Sequence, residues 1–268
     1  MTKEKDWWAW QLKAKAEPDP VERERIFRAG LKDFPESAEL IYNFASFMTY
    51  VRKDYDEVEV ERLYRKALEL APADTDIIGN FALFLTDVRR DDDEAERLYC
   101  KALAIDPEQA NNTGNFAVFM YEIRKDNEAA ERLYRKALEL DPKHAIHTGN
   151  FANFMADTHK DDDEAQWLYR KALELDPKDA FNIGNFANFM WQSRKNNDGA
   201  ERLYREALQL DPNHAGHTAN FAEFMERIRS DFSEANRLYR LALKLDPNNK
   251  FAKQEYARFL KEHPEFAK

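Results

Sequence analysis

The chain has 268 residues, a formal net charge of −10, and a composition that is 43% hydrophobic and 34% charged. That balance excludes nucleic acid and anionic membrane surfaces as default partners and suits a neutral or basic one. With 7 glycines, 10 prolines and a single cysteine, Cys100, the chain leans towards helix, can form no intrachain disulfide, and is expected in a reducing, cytoplasmic compartment.

The amino-terminal stretch MTKEKDWWAWQLKAKAEP holds no continuous apolar run of signal-peptide length. No segment reaches the roughly 18 apolar residues of a membrane span. Residues 3–16, with Trp7, Trp8 and Trp10, and Val21 to Pro35, with Ile26, Phe27 and Leu31, read as a degenerate helix pair.

From there the chain repeats itself. The tripeptide Asn-Phe-Ala begins at Asn43, Asn80, Asn115, Asn150, Asn185 and Asn220, spaced by 37 once and then by 35 four times. Tyr64, Tyr99, Tyr134, Tyr169, Tyr204 and Tyr239 keep the 35-residue period, as do Pro72, Pro107, Pro142, Pro177, Pro212 and Pro247. The odd interval fits two extra residues in the acidic stretch DYDEVEVE at 54–61. Agreement of three independent markers in period and phase makes this a repeat architecture.

Each unit predicts two helices. The first carries Ile183, Phe186, Ala187 and Met190 at i, i+3, i+4 and i+7, which puts Gly184 and Asn185 inside the helix beside the apolar stripe. The alternative, asparagine as an N-cap, would shorten the helix to about nine residues. In the second helix Ala130, Leu133, Tyr134, Ala137, Leu138 and Leu140 form the stripe, and Asp-Pro ends it. Asp93-x-x-Glu96, Asp163-x-x-Gln166 and Asp198-x-x-Glu201 have the form of capping boxes with aspartate as cap. At the end of the chain Lys250 to Glu262 keeps Tyr256, Ala257 and Leu260 but is otherwise polar, as a terminal repeat requires.

A helix pair with Ala95, Tyr99 and Ala102 on the second helix, Pro107 after it, and Ile78, Phe81, Ala82 and Leu85 on the first resembles the tetratricopeptide repeat (TPR) family. The resemblance covers about residues 20 to 262. It implies an all-α fold, a right-handed α-solenoid (superhelix) of antiparallel helix pairs. The expected organisation is one solenoid over 1–268: a cap at 1–35, six helix-pair repeats at 36–247, and a capping helix and tail at 248–268. The family's usual unit has about 34 residues; the additional residue is most simply placed between the two helices.

No phosphate loop, zinc-type Cys/His spacing or nucleophile elbow occurs, so no enzyme and no cofactor is expected. The pairs His144/His147 and His214/His217 read as repeat drift rather than a metal site. The acidic runs at 91–94 and 161–164 lack the spacing and glycine of a calcium loop and read as helix starts. Cys100 stands where other units have arginine and is expected to be exposed.

The resemblance implies that first helices line the concave side. The candidate peptide-binding residues are then Asn43, Asn80, Asn115, Asn150, Asn185 and Asn220, with Leu83, Val118, Asn153, Asn188 and Glu223 two places after the core phenylalanine, and Tyr121 and Trp191 five places after it. An asparagine side chain both donates and accepts, so a row in register could hold the peptide groups of an extended chain. It could equally tie neighbouring repeats together. Gly79, Gly114, Gly149 and Gly184, each costing a helix roughly 0.5–1 kcal/mol against alanine, allow either close approach of a ligand backbone or tight helix packing.

The family's carboxylate clamp needs lysine where this chain has Gly149 and Gly184. Asp87, Glu122, Asp157, Glu223 and Glu226 hint instead at a basic partner. The expected function is a non-enzymatic scaffold gripping a peptide segment. A self-assembling module joined through the Trp-rich amino terminus as a homo-oligomer, and a regulatory adaptor for a separate enzyme, stand as alternatives.

Overall fold

The computed structural model describes residues 7–52, 54–158 and 161–267; residues 1–6 of the expected cap and residue 268 of the tail lie outside them. Among the described residues all regular structure is helical, and it forms two compact units, 1–140 and 141–268.

The first unit holds α1 (Trp7–Ala16), α2 (Pro20–Asp33), α3 (Ala38–Tyr50), α4 (Glu57–Leu70), α5 (Thr75–Phe84), α6 (Asp92–Ile105), α7 (Ala110–Phe119) and α8 (Asn127–Leu140). The second holds α9 (Ala145–Asp157), α10 (Asp162–Leu175), α11 (Ala180–Gln192), α12 (Asn197–Leu210), α13 (Ala215–Phe224), α14 (Phe232–Leu245) and α15 (Lys250–Glu262). Odd-numbered helices from α3 on are the first helices of their pairs. No helix among the described residues is long and apolar enough to cross a membrane.

The repeated residues build the core. Tyr204 is fully buried on α12 and stacks on Phe221 of the next first helix at 5.2 Å; Tyr64 does the same with Phe81 at 5.5 Å, Tyr99 with Phe116 at 5.3 Å, and Tyr169 with Phe186 at 5.1 Å. Small residues let the backbones close in: Ala82, Ala117, Ala152, Ala187 and Ala222 are completely buried. Within each unit a second helix thus packs on its own first helix and on the next one. Within each unit successive first helices also touch, α3 with α5 and α5 with α7, then α9 with α11, α11 with α13 and α13 with α15. In each unit they form the more closely packed row.

Asparagine 185 lies inside its helix, because the N-cap of α11 is Asp179, whose carboxylate accepts from the N–H groups of Phe181 and Asn182. The second-helix caps differ from expectation. Asp91, Asp161 and Asn196 cap α6, α10 and α12, two residues ahead of Asp93, Asp163 and Asp198. Those three aspartates instead meet arginines from the next first helix: Arg124–Asp93 at 2.7 Å, Arg194–Asp163 at 2.8 Å and Arg229–Asp198 at 2.6 Å. The aspartates are largely exposed, so water screens each pair and it adds little to stability.

In the units of α5, α7 and α13 the end of the first helix takes up an additional residue. Helices α5, α7 and α13 each end in a π-turn, Leu85–Arg89, Met120–Arg124 and Met225–Arg229. A π-turn takes up one residue beyond an α-turn without disturbing the phase of the core before it. Left-handed residues follow, Arg90 at φ 58°, Lys125 at φ 58° and Ser230 at φ 54°, and the next N–H closes back, as Asp126 N does to Met120 O at 2.9 Å.

Candidate partner-binding face

In each unit the row of first helices places the candidate residues in helical register. Asn43, Asn80, Asn115, Asn150, Asn185 and Asn220 are all half-buried on the middle turns of their helices. Asn43 and Asn80 donate to carbonyls one turn back, Glu39 O at 2.6 Å and Asp76 O at 2.9 Å. Asn185 Oδ1 faces His217 Nε2 at 3.3 Å. Among the described residues no hydrogen bond engages the side chains of Asn115, Asn150 or Asn220.

The positions two places after the phenylalanine are also half-buried: Leu83 and Val118 in the first unit, Asn153, Asn188 and Glu223 in the second. Asn153 Oδ1 accepts from the Tyr169 hydroxyl at 2.6 Å, and Asn188 Oδ1 accepts from Tyr204 in the same way. Burial pushes the Tyr204 hydroxyl far above its ordinary value, so it stays protonated and must donate. This fixes the amide orientation, since the oxygen faces the core and the NH2 group is left to the surface.

Glu223 is engaged by Arg227 at 2.8 Å. Burial raises its pKa, with the Arg227 charge opposing. Glu226 is buried, accepts from Tyr239 at 3.0 Å and forms a two-pronged pair with Arg258 at 2.8 Å, tying α15 to α13. Trp191 packs edge-on against Phe224 at 5.7 Å, and Lys125 lies 5.9 Å from the Tyr121 ring.

Neighbouring side chains fill the space beside the glycines. A Cβ on Gly79 would lie 1.7 Å from Asn112 Oδ1, one on Gly149 would lie 1.9 Å from Asn182 Oδ1, and one on Gly184 would lie 2.4 Å from His217 Cε1. Tight packing between first helices therefore accounts for these glycines. Where the series has Ala219 instead, the facing residue is Ala252, and both are fully buried in one cluster.

The paired histidines are capped helix starts. His144 Nδ1 accepts from His147 N at 3.2 Å and His214 Nδ1 from His217 N at 3.0 Å, with each pair of rings stacked at 3.8 Å. Burial, and then the neighbouring imidazole, pushes His147 and His217 down to about 4. Glu226, Glu262 and His263 bring ligand atoms together. Glu226 is already committed to Arg258 there. Cys100 is exposed.

Sequence reading missed the tyrosine hydroxyls and the residues that enter the glycine gaps. The signal for the first was present: a tyrosine rather than phenylalanine at a fully buried position needs a partner for its hydroxyl. On the second-helix side the clefts are lined by charges that neutralise one another, such as Asp198, Glu201, Arg205 and Arg229.

A tetratricopeptide-repeat family model matches residues 119–144. No curated protein matches the chain by sequence. Among solved structures, yeast Tom70 is similar with TM-score 0.67 at 20% identity, over 97% of this chain and 54% of Tom70. The Cut9-Hcn1 hetero-tetramer of the APC/C gives TM-score 0.76 at 16% identity, over 90% of this chain and 46% of that one. A tetratricopeptide repeat protein from Parabacteroides merdae gives TM-score 0.70 at 16% identity, over 96% and 98% of the two chains. This chain thus spans about half the length of the first two. The chain shares the fold of known tetratricopeptide-repeat proteins, and the stretch 119–144 is similar in sequence to that family.

Proposed function

We propose that the chain is a non-enzymatic interaction scaffold that holds an extended segment of a partner protein along a row of first helices. One observation carries the reading: Asn153 and Asn188 are anchored by buried tyrosines so that their NH2 groups remain available at the surface. Asp87, exposed at the end of the first helix α5, favours a partner segment that is neutral to basic. An exposed, unpaired Cys100 fits a reducing compartment such as the cytoplasm. Selection of binders from an unbiased peptide-display library on the full chain tests the reading. Selected peptides are expected to shift the side-chain amide resonances of Asn153 and Asn188; binders that shift only second-helix residues contradict it.

A second reading, self-assembly, is favoured by the exposed Trp8 and Leu12, one turn apart on α1. Light scattering of the full chain and of a Trp8→Glu, Leu12→Glu variant decides it. A dimer that the variant abolishes supports assembly, and a monomer in both removes it.

A further inference from the structure

Two adjacent first helices of the second unit carry one chemical pattern. Ile146, Asn150 and Asn153 on α9, and Phe181, Asn185 and Asn188 on α11, stand at i, i+4 and i+7, on one side of their helices. Each helix therefore presents an exposed apolar side chain followed by two half-buried amides; Ile146 is 59% and Phe181 48% exposed.

Two of the four amides have their oxygen committed to the protein, and a third lies against a histidine. Asn153 Oδ1 is held by Tyr169, Asn188 Oδ1 by Tyr204, and Asn185 Oδ1 faces the Nε2 of a neutral His217. What these side chains still offer is N–H. These three amides offer donors and no free acceptor.

That imbalance selects among extended ligands. A β-type strand brings a backbone N–H for every carbonyl, and those donors would find few partners here. A proline-rich chain has no N–H at its prolines, while its carbonyls make no internal hydrogen bonds and stay open. The periods also agree: polyproline II rises about 3.1 Å per residue with three residues per turn, so one turn advances by about 9 Å. Packed helices lie about 8–10 Å apart, so successive turns would meet successive first helices in the same register. The Phe181 ring and Ile146 supply the apolar surface on which pyrrolidine rings rest.

Resting on the peptide-scaffold reading above, we propose that the α9–α11 face binds a proline-rich segment in the polyproline II conformation. Its carbonyls accept from Asn153, Asn185 and Asn188, and its rings lie on Ile146 and Phe181. Tyr169 and Tyr204 are positioning residues that keep the amides turned outward.

The test uses the full chain, isotope-labelled, titrated with capped nonaproline and with a capped nonapeptide of alternating Thr and Ala. Nonaproline is expected to give saturable shifts in the NH2 resonances of Asn153, Asn185 and Asn188 and to bind at least about tenfold more tightly than the Thr/Ala peptide. The Asn153→Asp, Asn188→Asp variant keeps an acceptor for both tyrosines but loses the donors, and is expected to weaken nonaproline by at least about tenfold. Tyr204→Phe is expected to weaken it about threefold and to broaden the Asn188 amide signals. Nonaproline that leaves these amides unshifted at millimolar concentration overturns the proposal. If the Thr/Ala peptide binds the same amides as tightly, proline recognition fails and the scaffold reading survives. If display-selected peptides bind only the second-helix side, the scaffold reading fails as well.

Discussion

Gly149 on α9 and Asn182 on α11 occupy one volume: a Cβ on the glycine would lie 1.9 Å from Asn182 Oδ1. The asparagine is buried and held by Asp179 through its amide at 2.7 Å, so it cannot move aside freely. Helix propensity alone favours alanine at position 149 by roughly 0.5–1 kcal/mol. Overpacking costs about 1–3 kcal/mol and wins. Gly149→Ala is therefore expected to lower stability in urea unfolding. Adding Asn182→Ala is expected to restore part of the loss, because the chain already uses an alanine pair at Ala219 and Ala252. Additive effects in the double variant would contradict the interlock.

His217 makes the same contact on Gly184, and its pKa of about 4 has a pH consequence. The folded state holds the ring neutral, whereas an unfolded histidine titrates near 6.5. Between those values the unfolded chain binds a proton that the folded one does not, so stability falls as pH drops from about 6.5 to about 4 and is unaffected above that window. His217→Asn, which copies the Asn182 arrangement, is expected to remove about 1–2 kcal/mol of the difference between pH 7.5 and pH 5. Parallel curves for the two proteins would show that the ring protonates freely.

Ser230 closes the π-turn after α13 with φ 54°, a conformation that costs a non-glycine residue roughly 1–2 kcal/mol. It is exposed, and the closing bond from Asp231 N to Met225 O at 3.0 Å needs no side chain at position 230. Ser230→Gly is expected to raise the melting temperature, with a net gain of about 0.5–1 kcal/mol after the added freedom of the unfolded chain. A lowered melting temperature would show that the turn is not strained.

Glu226 is 6% exposed and is paired with Arg258 at 2.8 Å. Arg258→Met leaves that carboxylate unpaired and is expected to cost about 3–5 kcal/mol. Glu226→Gln added to it is expected to recover much of this, since the second change removes the stranded charge. Hydrogen exchange along α15 gives the readout, and unchanged protection in Arg258→Met would contradict the account.

How far the sequence carries depends on the kind of order being read. The helix pairs, the core phenylalanines and the buried tyrosines follow from a 35-residue period laid over helical spacing, and Asn185 falls inside its helix because Ile183 and Phe186 share a stripe. Caps were misplaced by two residues because aspartate occurs in runs, and Asp91 and Asp93 look alike until one meets Arg124. The π-turns leave no local composition signal, since Arg90, Lys125 and Ser230 are unlike one another and none is glycine. The glycine gaps could be seen, but not their occupants. Asn112, Asn182 and His217 come from the following repeat, and a contact across repeats has no local periodicity.

The central claim is that the row of first helices divides its work, with the glycine interlock holding the helices and the tyrosine-anchored asparagines holding a partner. The most direct measurement compares melting temperature and affinity for a display-selected peptide in wild type and in a variant carrying Asn153→Ala, Asn188→Ala, Tyr169→Phe and Tyr204→Phe. Removing both members of each hydrogen bond avoids leaving a buried hydroxyl unpaired, so stability should change little. The account predicts a melting temperature within a few degrees of wild type and affinity reduced by at least about tenfold. A large drop in melting temperature with affinity intact would contradict it.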